Sequence, residues 1–240
     1  MIKVQNLTIS YNEERVLKEV SLDIPKGTSC SIIGESGCGK TTLLYCLAKV
    51  INKDSGDILI NNKSIEDSTE KISIILQDLG LFPWKSVENN ILMGLKSTAL
   101  KKNEKKKIVY EILNELDMFK YKDKYIHELS GGQKQRVAVA RSLVNNPEII
   151  MLDEATSALD AMTKEKIQDL LLNIHLNRQN TMLFVTHSIE EAVFLGKKII
   201  IMEKGNIKYI IDNKYFGDRD FRNKEEYMRL CTEVRRKLYE

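Results

Sequence analysis

Apolar and polar positions alternate at the start of the chain: Ile2, Val4, Leu7 and Ile9 keep an approximate period of two, and Val20, Leu22 and Ile24 repeat it. That period marks strands with one buried face. After the turn Pro25-Lys26-Gly27, a strand through Ile32-Ile33 runs into a glycine-rich turn and a helix predicted over 40–50. Two further β-rich stretches, 57–61 and 71–76, follow. From about 79 to 146 the period lengthens, with Ile108, Ile112, Leu116 and Phe119 spaced by four, four and three, so a helical insertion is expected there. Beyond Pro147 come the wholly apolar strand Ile149-Ile150-Met151-Leu152, a helix over 162–178, a strand over 182–185 and another over 198–202. Strands without a polar face are buried on both sides, and their alternation with helices argues for a parallel sheet. In the tail, Tyr227, Leu230, Val234 and Leu238 share one helical face behind a cap expected at Asn223 with Glu226 three residues on, so this helix should dock on a surface.

Composition narrows the classes. A chain of 240 residues fits one domain with, at most, a subdomain. Its 37 basic and 34 acidic side chains leave a net charge of +3, too little for a global field that grips nucleic acid or an anionic membrane, so no nucleic-acid partner is expected. At 42% hydrophobic and 30% charged, with 3 Pro and 12 Gly, there is material for a core and no bias toward disorder. Apolar runs such as Ile199-Ile200-Ile201-Met202 fall far short of the roughly 20 residues needed to cross a bilayer. The N-terminus lacks a charged segment followed by an apolar one, which disfavours secretion. Cys30, Cys38, Cys46 and Cys231 show no metal-ligand spacing and read as buried thiols of a reducing compartment. The lysine-rich run 101–107 reads as a solvated loop or helix end.

Candidate chemistry begins with Gly34-Glu35-Ser36-Gly37-Cys38-Gly39-Lys40-Thr41, which matches G-x-x-x-x-G-K-[ST] between an apolar strand and a helix. Glycines let the backbone N–H groups turn inward toward phosphate, and the positive end of the helix dipole adds to the attraction. Lys40 supplies a mobile cation, Thr41 offers a hydroxyl to Mg²⁺, and Thr42 completes the nucleotide-binding set. A glycine turn with an ordinary surface lysine is the bland alternative, and the strand-to-helix position weighs against it. On its own the loop fits kinases, small GTPases, helicases and transport ATPases equally well.

The strand at 149–152 ends in Asp153-Glu154. An acid at the carboxyl end of a buried parallel strand points into the crevice where such sheets bind ligands. Asp153 suits metal coordination, and Glu154 suits polarising an attacking water. Neighbouring side chains face opposite ways along a strand, so both serve one site only if the strand ends there. An isolated Asp-Glu pair would read as a solvated turn; the phosphate loop shifts the balance.

More discriminating is Leu129-Ser130-Gly131-Gly132-Gln133, which leads into a helix over 134–143. Ser130 can cap that helix, and Gly131-Gly132 leave N–H groups bare at its positive end, a second phosphate-type site in one chain. A flexible cap explains the pentapeptide locally but not why a second such site precedes the carboxylate strand.

Taken in order, these residues resemble the ATP-binding subunit of ABC transporters, over nearly the whole chain. The resemblance implies an α/β fold: a P-loop NTPase core with a mostly parallel sheet, an antiparallel β subdomain and an inserted α-helical subdomain. Residues 1–78 and 147–215 would form the core with the β subdomain, 79–146 the helical subdomain with the signature, and 216–240 a helical tail. It implies ATP and Mg²⁺, with Tyr11 stacked on adenine, Gln77 contacting Mg²⁺ and the attacking water, and His187 contacting the γ-phosphate and orienting the water with Glu154. Two copies would close head to tail, so that Ser130, Gly131, Gly132 and Gln133 of one complete the ATP site of the other, with Asp160 in the loop crossing between them. Read alone, Asp160 is a helix cap, Tyr11 a packing residue and Gln77 a bland strand end, while His127 and His175 read as structural.

The stretch Leu81-Phe82-Pro83-Trp84, which holds the sole tryptophan, resembles importers of the nitrate, sulfonate and taurine type, whose relatives also carry thiamine-precursor pyrimidines. The implied partners are a homodimeric second copy, integral membrane permease subunits and, indirectly, a solute-binding protein. The implied location is cytoplasmic, peripheral on the inner face of the membrane. Two other classes remain in view. A soluble ABC ATPase of translation or DNA repair should show two cassettes or a long coiled-coil insertion, and a nonhydrolytic regulator should lack Glu154 or His187.

Overall fold

The computed structural model of the protein describes residues 1–12 and 14–240. In chain order it contains β1 (Ile2–Tyr11), β2 (Glu14–Ile24), β3 (Ser29–Gly34), α1 (Lys40–Leu47), β4 (Ser55–Ile60), β5 (Lys63–Ser64) and β6 (Ile72–Ile75). Three helices follow, α2 (Val87–Leu92), α3 (Lys102–Glu115) and α4 (Gly131–Leu143). The chain then returns to β7 (Ile149–Asp153), α5 (Ala161–Arg178), β8 (Thr181–Thr186), α6 (Ile189–Leu195), β9 (Lys198–Glu203) and β10 (Asn206–Asp212), and ends in α7 (Glu225–Tyr239).

These strands form two sheets. The smaller, in the order β2-β1-β4-β5, is antiparallel. The larger runs β10-β9-β3-β8-β7-β6, parallel from β9 to β6 with β10 antiparallel at its edge. The imperfect alternation at the N-terminus has a local cause: Asn6 stands at φ 49° and the β1–β2 register shifts between Val4 and Leu7. That bulge moves the buried set from even to odd positions.

In the parallel strands every other residue faces a different core. Ile149 and Met151, Leu183 and Val185, and Ile200 and Met202 pack with α1 and the antiparallel sheet. Their neighbours Ile150 and Leu152, Met182 and Phe184, and Ile199 and Ile201 pack with the helical layer on the other side. The unbroken apolar runs are therefore the mark of strands covered on both faces.

Three expectations need correction. The stripe from Ile108 to Phe119 is not one helix: α3 ends at Glu115, Asp117 turns left-handed at φ 55°, and Phe119 lies in a separate helical turn, edge-on to Tyr110 at 5.3 Å. Asn223 does not cap α7; it closes a short turn and donates to Asp220 at 2.7 Å, while Lys224 precedes the helix without a side-chain cap. The signature helix begins at Gly131, not Lys134. The charged run does start a helix, with Glu104 accepting from the Lys101 N–H at 2.6 Å.

The tail docks as its stripe implies. Tyr227 Oη donates to the Glu190 carbonyl at 3.1 Å, and the Arg222 guanidinium lies 3.3 Å over the Phe194 ring. All four cysteines are free and buried. No helix among the described residues is long and apolar enough to cross a membrane.

Candidate functional site

The loop between β3 and α1 wraps the start of the helix, whose first N–H groups have no acceptor within it. Gly39 precedes the helix at φ 103°, and a Cβ there would sit 2.7 Å from Leu17 Cδ2, so both conformation and packing demand glycine. The loop is braced from behind: Gly205 N donates to the Cys38 carbonyl at 3.1 Å, and Lys18 N donates to the Gly205 carbonyl at 3.0 Å. Nothing in the periodicity singled out this turn between β9 and β10 as a support. Lys40, expected as a mobile cation, is held: its Nζ donates to the carbonyls of Gly34 at 2.9 Å and Glu35 at 2.8 Å. Burial pushes the Cys38 thiol up, against the opposing pull of Lys40.

A cleft of about 270 Å³ opens over this loop, lined by Tyr11, Val16, Ser36, Gly37, Gly39, Lys40, Thr41, Thr42 and Glu154. Tyr11, the last residue of β1, is 49% exposed. Beneath the rim, Thr41 Oγ1 donates to Asp153 Oδ1 at 3.1 Å. Asp153 is only 3% exposed, and burial lifts its carboxyl above the usual range, offset by hydrogen bonds from Thr41 and Tyr45. Burial and the Asp153 charge push the Tyr45 hydroxyl up to about 12. Sequence reasoning missed Tyr45, although it lies one helical turn after Thr41 on the same face.

Glu154 solves the alternation problem through its backbone. At φ 45° it is left-handed, with its N–H donating to the Val185 carbonyl at 2.9 Å. That twist keeps Glu154 on the same side as Asp153, and Glu154 Oε2 stands 3.5 Å from His187 Nδ1, just beyond β8.

Other candidates lie elsewhere. Gln77 follows β6 on a neighbouring cleft, with Tyr45, Asp78 and Ser157. Ser130 caps its own helix: its hydroxyl accepts from Gln133 N at 3.4 Å, and Gln133 Oε1 accepts from Ser130 N at 3.0 Å. Gly132 lets this helix approach α5, because a Cβ there would meet Thr163 Cγ2 at 2.5 Å, and Gly131 faces Leu159. Asp160 caps α5 by accepting from Thr163 N at 3.0 Å, which holds its carboxyl below the usual range. Neither this pentapeptide nor Asp160 lines the phosphate cleft of its own chain.

Among the described residues no cluster of three His, Cys, Asp or Glu forms a metal cage. One hydroxyl and one buried carboxylate at hydrogen-bond distance instead fit Mg²⁺, which keeps waters and substrate phosphates among its ligands.

Comparison with known proteins agrees with this geometry. The ABC transporter family model matches residues 17–157, a stretch that contains the phosphate loop, the pentapeptide and the Asp153-Glu154 strand end. The chain is 35% identical over 205 residues to the taurine import ATP-binding protein TauB of Shigella dysenteriae, covering 85% of this chain and 80% of that protein. It is 38% identical over 211 residues to the aliphatic sulfonates import ATP-binding protein SsuB 2 of Agrobacterium fabrum, covering 88% and 79%. Among solved structures, the ATP-binding cassette MJ0796, a dimer in a post-hydrolysis state bound to ADP and Pi, superposes with a TM-score of 0.78 at 33% identity, covering 90% of this chain and 100% of that one. With both phosphate-type sites and the strand-end carboxylates inside the matched stretch, the chain belongs to the ABC transporter family, as one of its ATP-binding cassettes.

Proposed function

We propose that this chain is the ATP-hydrolysing subunit of an importer, working as a head-to-tail pair beneath separate permease subunits at the inner face of the membrane. The observation that carries the reading is the pairing of Glu154 with His187 at 3.5 Å, where Glu154 also lines the cleft of the phosphate loop. ATP enters with its adenine against Tyr11 and its phosphates against the loop N–H groups and Lys40. Thr41 and Asp153 would hold Mg²⁺, with Gln77 reaching it only from the neighbouring cleft, and the bound ion would neutralise developing charge on the phosphate oxygens. Glu154 draws a proton from the water that attacks the γ-phosphorus, and His187 fixes the orientation of that carboxylate and of the phosphate. The work is positioning and charge placement; no covalent intermediate on the protein is needed.

Ser130, Gly131, Gly132 and Gln133 of the second copy would close the cleft over the γ-phosphate, with Asp160 in the contact between copies. The exclusion of these residues from their own chain's cleft supports that division. The names of the relatives support a small sulfonate as solute, delivered by a separate solute-binding protein. Trp84 and its loop provide an exposed aromatic surface for the permease.

Glu154→Gln tests the assignment. It should leave ATP affinity intact, lower turnover by about a hundredfold or more, and accumulate an ATP-bound dimer by size exclusion. Steady hydrolysis by that variant would overturn it.

A further inference from the structure

One buried carboxylate has no part in the chemistry above. Glu191, on α6, is 6% exposed and sits between the ends of β7 and β8. Its Oε1 accepts from Thr156 Oγ1 at 2.5 Å and its Oε2 from Thr186 Oγ1 at 2.5 Å. Gln168 Nε2 adds a longer bond to Oε1 at 3.4 Å, and Lys164 Nζ lies 3.8 Å from Oε2. Thr156 comes two residues after Glu154, and Thr186 immediately precedes His187. The loop around His187 is closed from the same side, since Thr186 Oγ1 accepts from Ser188 N at 3.0 Å and Ser188 Oγ accepts from Glu191 N at 3.2 Å. The His187 side chain is 61% exposed, and its Nδ1 lies 3.5 Å from Glu154 Oε2. A carboxylate is costly to bury unless its oxygens are satisfied, and here the satisfying groups come from the two segments that carry the hydrolytic pair.

We propose that Glu191 is a positioning residue: by tying Thr156 to Thr186 it sets the spacing of Glu154 and His187, and through Thr156 it anchors the start of the loop leading to Asp160. The proposal rests on the reading of Glu154 and His187 as the hydrolytic pair. A misplacement near 1 Å at such a pair costs up to about a hundredfold in rate.

The test uses Thr186→Val, which with little change of shape removes both the donor to Glu191 and the acceptor for Ser188 N, together with Glu191→Ala and Glu191→Gln, which remove or weaken only the link to Glu191. Turnover in Thr186→Val and Glu191→Ala should fall by about tenfold or more, with KM for ATP and the affinity for a fluorescent ATP analogue kept within about threefold. Glu191→Gln, which keeps an acceptor oxygen and the shape, should retain more of the rate than Glu191→Ala. Adding Thr186→Val to Glu191→Ala should change turnover no further, because both act through one link. A second readout needs no turnover: with 3 histidines in the chain, the His187 ring resonances should move in Glu191→Ala as well as in Thr186→Val while those of His127 and His175 stay in place. Wild-type turnover and an unmoved His187 signal in Thr186→Val would overturn the proposal, as would losses that multiply independently. If Glu191→Ala fails to fold, Thr186→Val carries the test alone. Steady hydrolysis by Glu154→Gln would sink the underlying reading instead, so the two failures are separable.

Discussion

Glu154 combines a charged side chain with a left-handed backbone at φ 45°, a conformation that costs a non-glycine residue about 1–2 kcal/mol. Its charge also opposes ionisation of the buried Asp153 beside it. The strand end is therefore strained for the sake of placing two carboxylates in one cleft. Glu154→Gly should relieve both terms: about 0.5–1 kcal/mol of added stability in urea titration, with hydrolysis lost. A variant that melts earlier than the parent would contradict the strain argument. His175 gives a second residue-scale expectation. Desolvation, with a smaller contribution from Lys197, lowers its imidazole below the usual value of 6.5, so the unfolded chain binds the proton more tightly. Its contribution to stability is whole above pH 6.5 and is lost as pH falls through the lowered folded value. Urea midpoints followed from pH 7 to pH 5 should fall less steeply in His175→Gln than in the parent.

Among the elements, the segment from Leu79 to Ser86 has little regular structure, yet two side chains fix it. Arg141 donates to the carbonyls of Gly80 and Leu79, each at 2.6 Å. Asn90, fully buried, accepts from Phe82 N at 2.8 Å and donates to the carbonyls of Phe82, Lys85 and Ser86 at 3.0–3.1 Å. Asn90→Ala leaves half-buried backbone groups unpaired and should cost about 1–3 kcal/mol in denaturant titration, with faster hydrogen exchange confined to this segment. Uniform exchange across the chain would show that Asn90 supports the whole helical layer rather than the loop. None of this was legible from periodicity, which detects faces and is blind to a polar side chain bonded to irregular backbone. Periodicity did find the parallel strands, because residues buried on both sides leave an unmistakable apolar run. It failed where direction changes without a change in hydrophobicity, as at Asp117, which splits the stripe ending in Phe119.

At the scale of the whole molecule, linear order was a good guide to the cleft and a poor one to its surroundings. Ser36, Gly37 and residues 39–42 form one wall because they are nearly contiguous, and Glu154 joins them because a parallel strand delivers its end to the same edge of the sheet. Motif spacing could reveal both. Glu191 escaped notice because its part depends on which strand ends become neighbours, which is a property of the order β9-β3-β8-β7-β6 and not of any local pattern, whereas Tyr45 was within reach of helical spacing from Thr41. The separation of the Ser130 pentapeptide from its own cleft belongs to this scale as well, and it is the separation that the proposed head-to-tail pairing of two copies would close.

The aromatic loop has one practical consequence. Trp84 is the chain's single tryptophan and is 71% exposed, so its indole already experiences water in the folded protein. Denaturation should barely shift its emission maximum, whereas burial against a permease helix should move it to shorter wavelength. If the loop docks on a permease as proposed, this single indole is an intrinsic optical probe that hardly responds to unfolding and reads out that docking.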